Sequence, residues 1–313
     1  MGLLPDHRLR DIDVMASDRN WDGLLLAYQA GFDATGSHAV AAARCAYHLA
    51  LSAPAKLAAS VLHYPPAQST VPLAEVATQE HSWSELAPFL SGPAAFDVAH
   101  ERVVRGDDLR RVAALPSTEA DLPLALCPWE PTYAPARYSA LNASFPTPTA
   151  PSYSPVARLP RPGEAIGDPH VVDAFNDLVS PWTTRNRGRV DVVTSEGDHL
   201  NAIACLGGSR ARLAEVSFAD AMGWMVWAGA SGGARGRRRG NAAGRFYAWC
   251  CVAALAGVSE DWPIDPAELG EIGQGLHWYL WDVDDASADW KLRLAVYDDV
   301  EELGLAISAI DRL

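Results

Sequence analysis

Proline is concentrated in one stretch of this chain, and that stretch constrains the fold more than any other sequence feature. Twelve of the 22 prolines stand between Pro116 and Pro169 in a chain of 313 residues. Because proline lacks a backbone N–H and clashes with the preceding helical turn, long helices are excluded there. The sequence therefore predicts three parts: a domain at 1–112, a proline-rich linker or wrapping segment at 113–169, and a domain at 170–313.

The first part has the hydrophobic spacing and short connections of stacked antiparallel helices. Ser82 and Glu85 have the spacing of a capping box, and Pro54 suits the first turn of a helix. The expected architecture is a helical domain, with a HEAT-like α-α array as one form of it. The predicted helices cover residues 6–17, 20–30, 37–52, 54–64, 72–80, 83–90 and 93–105.

One strand is predicted within the proline-rich segment. Leu122 to Trp129 has extended character, and its two prolines confine it to a sheet edge or to strand ends. The other residues of the segment predict extended chain that docks on a folded surface through its tyrosines.

The part after the prolines mixes helical and strand patterns. Strands are predicted over 189–194 and 211–216, followed by two more within L-H-W-Y-L-W and W-K-L-R-L-A-V, and a final helix over 299–311. The last of these strands alternates large apolar residues with polar or small ones, which indicates one buried face. The expected fold class is α+β: a helical amino-terminal domain plus a mixed α/β carboxy-terminal domain with a small, partly antiparallel sheet.

Charge and cysteine usage limit the function classes. The formal net charge is -14, which opposes non-specific binding to nucleic acid and anionic lipid. The longest apolar run has 11 residues, so no membrane span is predicted, and the amino terminus lacks a secretory signal, which predicts a cytoplasmic protein. Five cysteines without a C-x-x-C pair predict reduced, buried thiols and neither a metal nor a cofactor.

The most unusual stretch is residues 228–244, named here the Gly/Arg segment, which contains six glycines and four arginines. It directly precedes the apolar run Phe246 to Ala256, which predicts a buried helix. Backbone N–H groups and guanidinium groups at the start of a helix are donors that bind anions. We therefore expect an anion site made of Ser231, Gly232, Gly233, Arg235, Arg237, Arg238, Arg239 and Arg245.

Two other interpretations of the Gly/Arg segment stay open. A basic loop can be solvated and offset part of the acidic surface. Small residues at Gly232, Gly236, Gly240, Gly244 and Ala248 recur every four positions, which is typical of a ridge against which a neighbouring helix packs closely. The segment contains no P-loop or Rossmann pattern.

A serine hydrolase is the alternative function. Gly229 to Gly233 fits the G-x-S-x-G pattern of a nucleophile elbow, with Ser231 as nucleophile. Asp261 or Asp265, and then His277, follow in the order acid, histidine. An elbow requires a buried strand before the serine, whereas the residues before Ser231 predict a capped helix.

Two smaller charged clusters are interpreted as solvated. Arg185, Arg187 and Arg189 precede a predicted strand, and the alternative is that they complete an anion pocket. The acidic run from Asp282 to Asp289 lacks the central glycine and terminal glutamate of an EF-hand loop and predicts a hairpin turn.

Several strings resemble those of an uncharacterised family of actinobacterial proteins: V-A-H-E-R-V-V-R-G-D-D-L, H-S-W-S-E-L-A-P-F-L, W-A-G-A-S-G-G-A-R-G-R-R-R-G-N-A-A-G-R-F and L-R-L-A-V-Y-D. The resemblance spans most of the chain. It implies a shared two-part architecture and supplies no activity, ligand or catalytic residue.

Together these observations predict a non-enzymatic, cytoplasmic binding or scaffold protein. Its Gly/Arg segment is expected to contact an acidic protein partner or a phosphate-bearing small molecule, because both present the anionic groups that guanidinium forks recognise.

Overall fold

Helices occupy most of the chain from Asp6 to Val104, and most strands of an antiparallel sheet, with its own helices, follow the prolines. The computed structural model describes residues 6–111, 115, 122–184, 188–283 and 290–312. The chain divides into two compact units, one of residues 1–116 with 135–146, and one of residues 117–134 with 147–313. The α+β class predicted from the sequence is confirmed.

The first unit contains the helices that hydrophobic spacing predicted, with ends within a few residues of the expected ones. The predicted capping box forms, because the Glu85 carboxylate accepts a hydrogen bond from the Ser82 backbone N–H at 2.8 Å. Asn20 caps another helix by accepting from Gly23 N–H at 3.1 Å. The helices are α1 (Asp6–Ser17), α2 (Trp21–Gly31), α3 (Ser37–Ser52), α4 (Ala55–Leu62), α5 (Leu73–Glu80), α6 (Trp83–Leu86) and α7 (Gly92–Val104).

Part of the proline-rich segment belongs to the helical unit. Its two-stranded hairpin, β1 (Arg137–Tyr138) and β2 (Ala143–Ser144), lies against α5. The Tyr138 hydroxyl donates a 2.5 Å hydrogen bond to the carboxylate of Glu75, which is fully buried. A buried carboxylate needs such donors, so the hairpin completes the polar interior of this unit.

The second unit is built around a seven-stranded sheet of order β3-β6-β7-β8-β9-β5-β4, in which every described strand pair is antiparallel. Its strands are β3 (Ala157–Arg158), β4 (Ala165–Ile166), β5 (Arg189–Glu196), β6 (Arg210–Val216), β7 (His277–Asp282), β8 (Trp290–Asp298) and β9 (Leu303–Asp311). Its helices are α8 (Pro169–Leu178), α9 (Ser180–Thr184), α10 (His199–Cys205), α11 (Phe218–Ala230), α12 (Asn241–Leu255) and α13 (Pro266–Gly275).

The two faces of the sheet are covered by different helices. Ala295, Ala306 and Val193 pack with residues of α10 in one apolar cluster. On the opposite face, Trp290 of β8 stacks on Trp227 of α11 with 5.3 Å between ring centroids. Because side chains alternate between faces along a strand, the central strands carry apolar residues on both faces where helices cover them.

The predicted final helix over 299–311 is wrong, since these residues contain β9. This strand lies between β8 and β5 at the middle of the sheet, and Leu305, Ala306, Ile307 and Ala309 are all buried. A strand buried on both faces has a continuous apolar run rather than alternation, and that pattern is hard to distinguish from a helix. Gly304 has no side chain where the residue that caps α10 crosses it, and an added Cβ would lie 2.2 Å from Asp198 O.

The strand predicted over Leu122–Trp129 is also wrong. The carbonyl groups of Pro123 and Ala125 accept hydrogen bonds from the guanidinium of Arg245 rather than from a neighbouring strand. The proline-rich segment instead supplies the two short outer strands, β3 and β4, at opposite edges of the sheet. Short edge strands among prolines limit further pairing with other chains.

Helices α11 and α12 cross at close range, as a ridge of small residues predicts. An added Cβ at Gly244 would lie 2.3 Å from Val226 O and 2.8 Å from Ala230 N, so only glycine fits there. The ridge is shorter than its four-residue spacing suggests, because α12 begins at Asn241 and the glycines before it lie in the loop.

Among the described residues, no helix is long and apolar enough to cross a bilayer.

Candidate functional site

Ser231 is buried at the carboxyl end of α11 and serves as a structural hydrogen-bond centre. Its Oγ accepts a 2.9 Å hydrogen bond from Trp182 Nε1 and donates to Ala228 O at 3.1 Å. It also accepts from Gly233 N–H at 3.3 Å. Its extended backbone closes a helix, whereas a nucleophile elbow places the serine between a strand and a helix.

The other two residues of the hydrolase hypothesis have local partners of their own. Asp265 caps α13 by accepting from Ala267 N–H at 2.7 Å. His277 starts β7, and its Nε2 lies 3.7 Å from a carboxylate oxygen of Asp299. Among the residues that the structure describes, no hydrogen bond or ion pair joins Ser231, Asp265 and His277.

The backbone of the Gly/Arg segment holds an anion that belongs to the chain itself. The fully buried carboxylate of Asp311 accepts a 2.7 Å hydrogen bond from Ala234 N–H. The segment turns sharply at this point, with Gly236 N–H donating to Gly232 O at 2.7 Å. The predicted anion-binding backbone is therefore used to attach the segment to the end of β9.

The arginines predicted to form one cluster have separate environments. Arg239 donates hydrogen bonds to Gly229 O at 2.8 Å, to Asp177 O at 3.0 Å and to Leu178 O. It thereby satisfies carbonyl groups in the last turns of α11 and α8 that have no partner within their helix. Arg238 donates to Asn241 Oδ1 at 2.9 Å. Arg245 is fully buried in an ion pair with Glu130, and the side chains of Arg235 and Arg237 are exposed.

An open concave surface lies elsewhere in this unit, on the α10 side of the sheet. With 7 residues, α10 is about 10 Å long, whereas β9 with 9 residues is about 30 Å long. One short helix cannot cover such a face. Beyond its end the sheet forms a cavity of about 690 Å³, named here the sheet-face cavity, within the usual range of ligand pockets.

The uncovered part of the face carries polar residues in register. Asp191 pairs with Ser308, and Ser308 pairs with Arg293, so a carboxylate, a hydroxyl and a guanidinium stand side by side on β5, β9 and β8. They lie two residues beyond Val193, Ala306 and Ala295, which α10 covers. Arg189 and Arg312 lie at the rim of the same cavity, and Trp281 and Ile310 supply apolar walls.

Asp282 fixes the guanidinium of Arg293. Arg293 Nη1 donates to Asp282 Oδ1 at 2.7 Å, and the guanidinium carbon lies 5.2 Å from the centre of the Trp281 ring. Lys291 and Arg212 also donate to this carboxylate, at 2.8 and 2.7 Å. Three cations thus surround one carboxylate beside the cavity, and Arg293 is held in place before any ligand arrives.

Of the residues that line the cavity, only Arg189 belongs to a candidate site in the sequence, where it is predicted to be solvated. Its neighbours Arg185 and Arg187, and residues 284–289 of the predicted hairpin turn, lie outside the described residues. The sequence contains one further signal for this site. In β8, Lys291 and Arg293 alternate with the large apolar residues and therefore lie on the opposite face of the strand. Asp191, Ser308 and Arg312 carry no such signal, because their proximity depends on strand order.

The described residues contain no group of three or more His, Cys, Asp and Glu side chains arranged to hold a metal ion. Burial raises the pKa of Cys45 to about 12 and that of Cys250 to about 11, so both thiols stay protonated at neutral pH. In the helical unit a second cavity, of about 560 Å³, contains Asp13 and Arg44, which are already paired with each other at 2.9 Å.

These features define an α+β protein with a cationic cavity on an antiparallel sheet. The chain belongs to a family of unknown function (DUF6183), whose sequence model matches residues 10–311. The resemblance to an uncharacterised family is thereby confirmed. No curated protein and no solved structure matches the chain.

Proposed function

We propose that this protein binds a small molecule carrying a phosphate or carboxylate group in the sheet-face cavity. The observation that carries the proposal is the concentration of Arg189, Arg293 and Arg312 around one cavity in a chain of formal net charge -14. Arginine forks recognise such anions through paired hydrogen bonds. A cationic cavity in an acidic protein also attracts anions that the rest of the surface repels.

Two of these arginines, Arg293 and Arg189, have different roles in this proposal. Arg293 is almost fully buried and is held by Asp282, so it gives a fixed docking point at little entropic cost. Arg189 is largely exposed at the rim and can follow the ligand. A cytoplasmic location and a non-enzymatic role belong to the same proposal.

Removing the rim arginines should weaken anion binding without unfolding the protein. We expect Arg189→Ala and Arg312→Ala each to weaken binding of pyrophosphate about tenfold, because each removes a charge-assisted hydrogen bond worth about 1.5 kcal/mol. Isothermal titration calorimetry measures the affinity, and circular dichroism checks the fold.

The matched control is Arg235→Ala, which removes an exposed arginine of the same unit outside the cavity. Its affinity for pyrophosphate should equal that of the wild-type protein. Equal loss in all three variants would indicate a general charge effect, and the cavity proposal would then be wrong. Absence of pyrophosphate and citrate binding to the wild-type protein would also contradict it.

A second candidate function is contact between the Gly/Arg segment and an acidic protein partner. It is supported by the exposure of Arg235 and Arg237 at the surface of an acidic chain. Arg239 does not belong to such a surface, because its guanidinium is used by the carbonyl groups that end α8 and α11. The relevant charge reversal is therefore limited to the two exposed arginines.

We expect Arg235→Glu/Arg237→Glu to lose retention on immobilised polyglutamate, since the change replaces two attractive charges with two repulsive ones. The reciprocal variant, Arg189→Glu/Arg312→Glu, should keep that retention and lose pyrophosphate binding. If Arg189→Glu/Arg312→Glu loses retention on polyglutamate and Arg235→Glu/Arg237→Glu keeps it, the acidic partner binds at the cavity and not at the Gly/Arg segment.

A further inference from the structure

We infer that the ligand of the sheet-face cavity is a hydroxylated phosphate ester, such as a polyol or sugar phosphate, and that Asp191 and Ser308 select its hydroxyl groups. This inference rests on the proposed anion-binding function and adds the chemical class of the ligand. The cavity contains a group that an anion site does not need, which is the carboxylate of Asp191.

Asp191 lines the cavity with its side chain about one third exposed, at 35%. Its Oδ2 lies 2.6 Å from Arg189 Nε. Among the described residues, Arg189 is the only partner of this side chain, which leaves Oδ1 available to the cavity. A carboxylate repels a bare anion, so a ligand that fits must present a hydrogen-bond donor at this end.

Ser308 stands next to Asp191 on the neighbouring strand. The two are partners in the strand register, so their backbones are about 5 Å apart. Ser308 is 9% exposed, and no hydrogen bond joins its Oγ to any residue that the structure describes. The carboxylate and the hydroxyl form a pair that matches neighbouring hydroxyl groups on a ligand.

The charges favour hydroxyl groups over an ammonium group as that donor. Arg189 already neutralises Asp191, so a second cation at this point would face the guanidinium as well as the carboxylate. A neutral hydroxyl avoids that repulsion. The guanidinium of Arg293, which Asp282 holds, and that of Arg312 line the same cavity, and their positive charges attract the anionic end of the ligand.

The size of the cavity and the number of donors favour a phosphate ester over a simple acid. At about 690 Å³ the cavity is far larger than an inorganic anion needs. A phosphate group presents three terminal oxygens and close to two negative charges, so it can be shared among several guanidinium groups. A carboxylate offers two oxygens and a single charge.

The test compares two ligands that differ only in hydroxyl groups: glycerol 3-phosphate and n-propyl phosphate. We expect the wild-type protein to bind glycerol 3-phosphate at least about tenfold more tightly in isothermal titration calorimetry, as expected for hydrogen bonds to a charged acceptor. Asp191→Ala should reduce this ratio to about one without weakening n-propyl phosphate binding. Ser308→Ala should reduce the ratio in part.

The outcomes separate this inference from the function on which it rests. If both phosphates bind equally well, or if Asp191→Ala leaves the ratio unchanged, the inference is overturned while anion binding stands. If neither phosphate binds and pyrophosphate does not bind either, the proposed function fails first. If n-propylammonium competes for the site, the ligand end at Asp191 is cationic and the hydroxyl assignment is wrong.

Discussion

We expect Arg245→Met to lower the free energy of unfolding by about 3–5 kcal/mol, because it leaves a buried carboxylate without its counter-ion. The side chains of Arg245 and Glu130 are both fully inaccessible to solvent, and their atoms approach to 2.7 and 2.8 Å in a two-point contact. The same guanidinium also donates to Pro123 O at 3.1 Å and Ala125 O at 3.2 Å. One side chain therefore attaches the start of the proline-rich segment to α12.

Urea denaturation followed by circular dichroism measures this effect. Arg235→Met is the matched control, because it makes the same change at an exposed position, where we expect less than about 0.5 kcal/mol. The double variant Glu130→Gln/Arg245→Met should recover part of the loss, since it no longer buries an unpaired charge. A single-variant loss below about 1 kcal/mol would show that the pair has little stabilising role.

The stability that Glu130 contributes depends on pH. Burial alone raises the pKa of Glu130, but the hydrogen bond and charge of Arg245 outweigh it, and the pKa lies below its usual value. This carboxylate therefore stabilises the fold above its unfolded pKa of about 4.3, and the stabilisation is lost as pH falls through the folded pKa. In Arg245→Met the burial remains without the guanidinium, so the pKa of Glu130 rises.

The stability difference between wild type and Arg245→Met should consequently shrink as the pH falls from 7 toward about 4. A difference that stays constant across this window would mean that Glu130 is not the group left unpaired.

The second large effect is expected at Asp282. We expect Asp282→Asn to lower the free energy of unfolding by about 3 kcal/mol, because a neutral amide no longer offsets the charges of Arg212, Lys291 and Arg293. The Asp282 side chain is 5% exposed, and its oxygens lie within 2.8 Å of donors on all three cations. Burial raises the pKa of Asp282, hydrogen bonds from Lys291 and Arg212 lower it, and the net change is downward.

Asp191→Asn is the matched control for stability. Asp191 pairs with a single, largely exposed arginine, so its loss should change stability by about 1 kcal/mol or less. Thermal unfolding of both variants at low and high salt completes the test. Because buried pairs are screened less, the effect of Asp282→Asn should persist at high salt. Equal, small shifts in both variants would contradict a structural role for the Asp282 cluster.

The helices of the first unit could be predicted because their signals are local. Ser82 and Glu85 are three residues apart, and apolar residues repeat at the helical period, so the information lies within one or two turns. The strand β8 was predictable for the same reason, since Leu292, Leu294 and Val296 alternate with polar or small residues and are buried. Such patterns do not depend on distant parts of the chain.

The sheet-face cavity could not be predicted in this way. Asp191, Arg293 and Ser308 become neighbours only because β5, β9 and β8 are adjacent in the sheet, and a strand order is a property of the whole unit. The same limit explains the wrong prediction at β9. A continuous apolar run is compatible with either a buried helix or a buried strand, and only packing on both faces selects the strand.

The sequence by itself determined the α+β class, the helical first unit and the capped helix before Ser231, since hydrophobic period and capping residues act over a few positions. Only the tertiary structure decided which partners each arginine has and which arginines line the cavity. Arg239 donates hydrogen bonds to a backbone carbonyl group, and Arg245 pairs with Glu130; both partners lie far from them in sequence. Arg293, in contrast, lines a cavity that exists because α10 is short. The type of a side chain can be read from the sequence, but the groups that it contacts depend on residues far away in the chain.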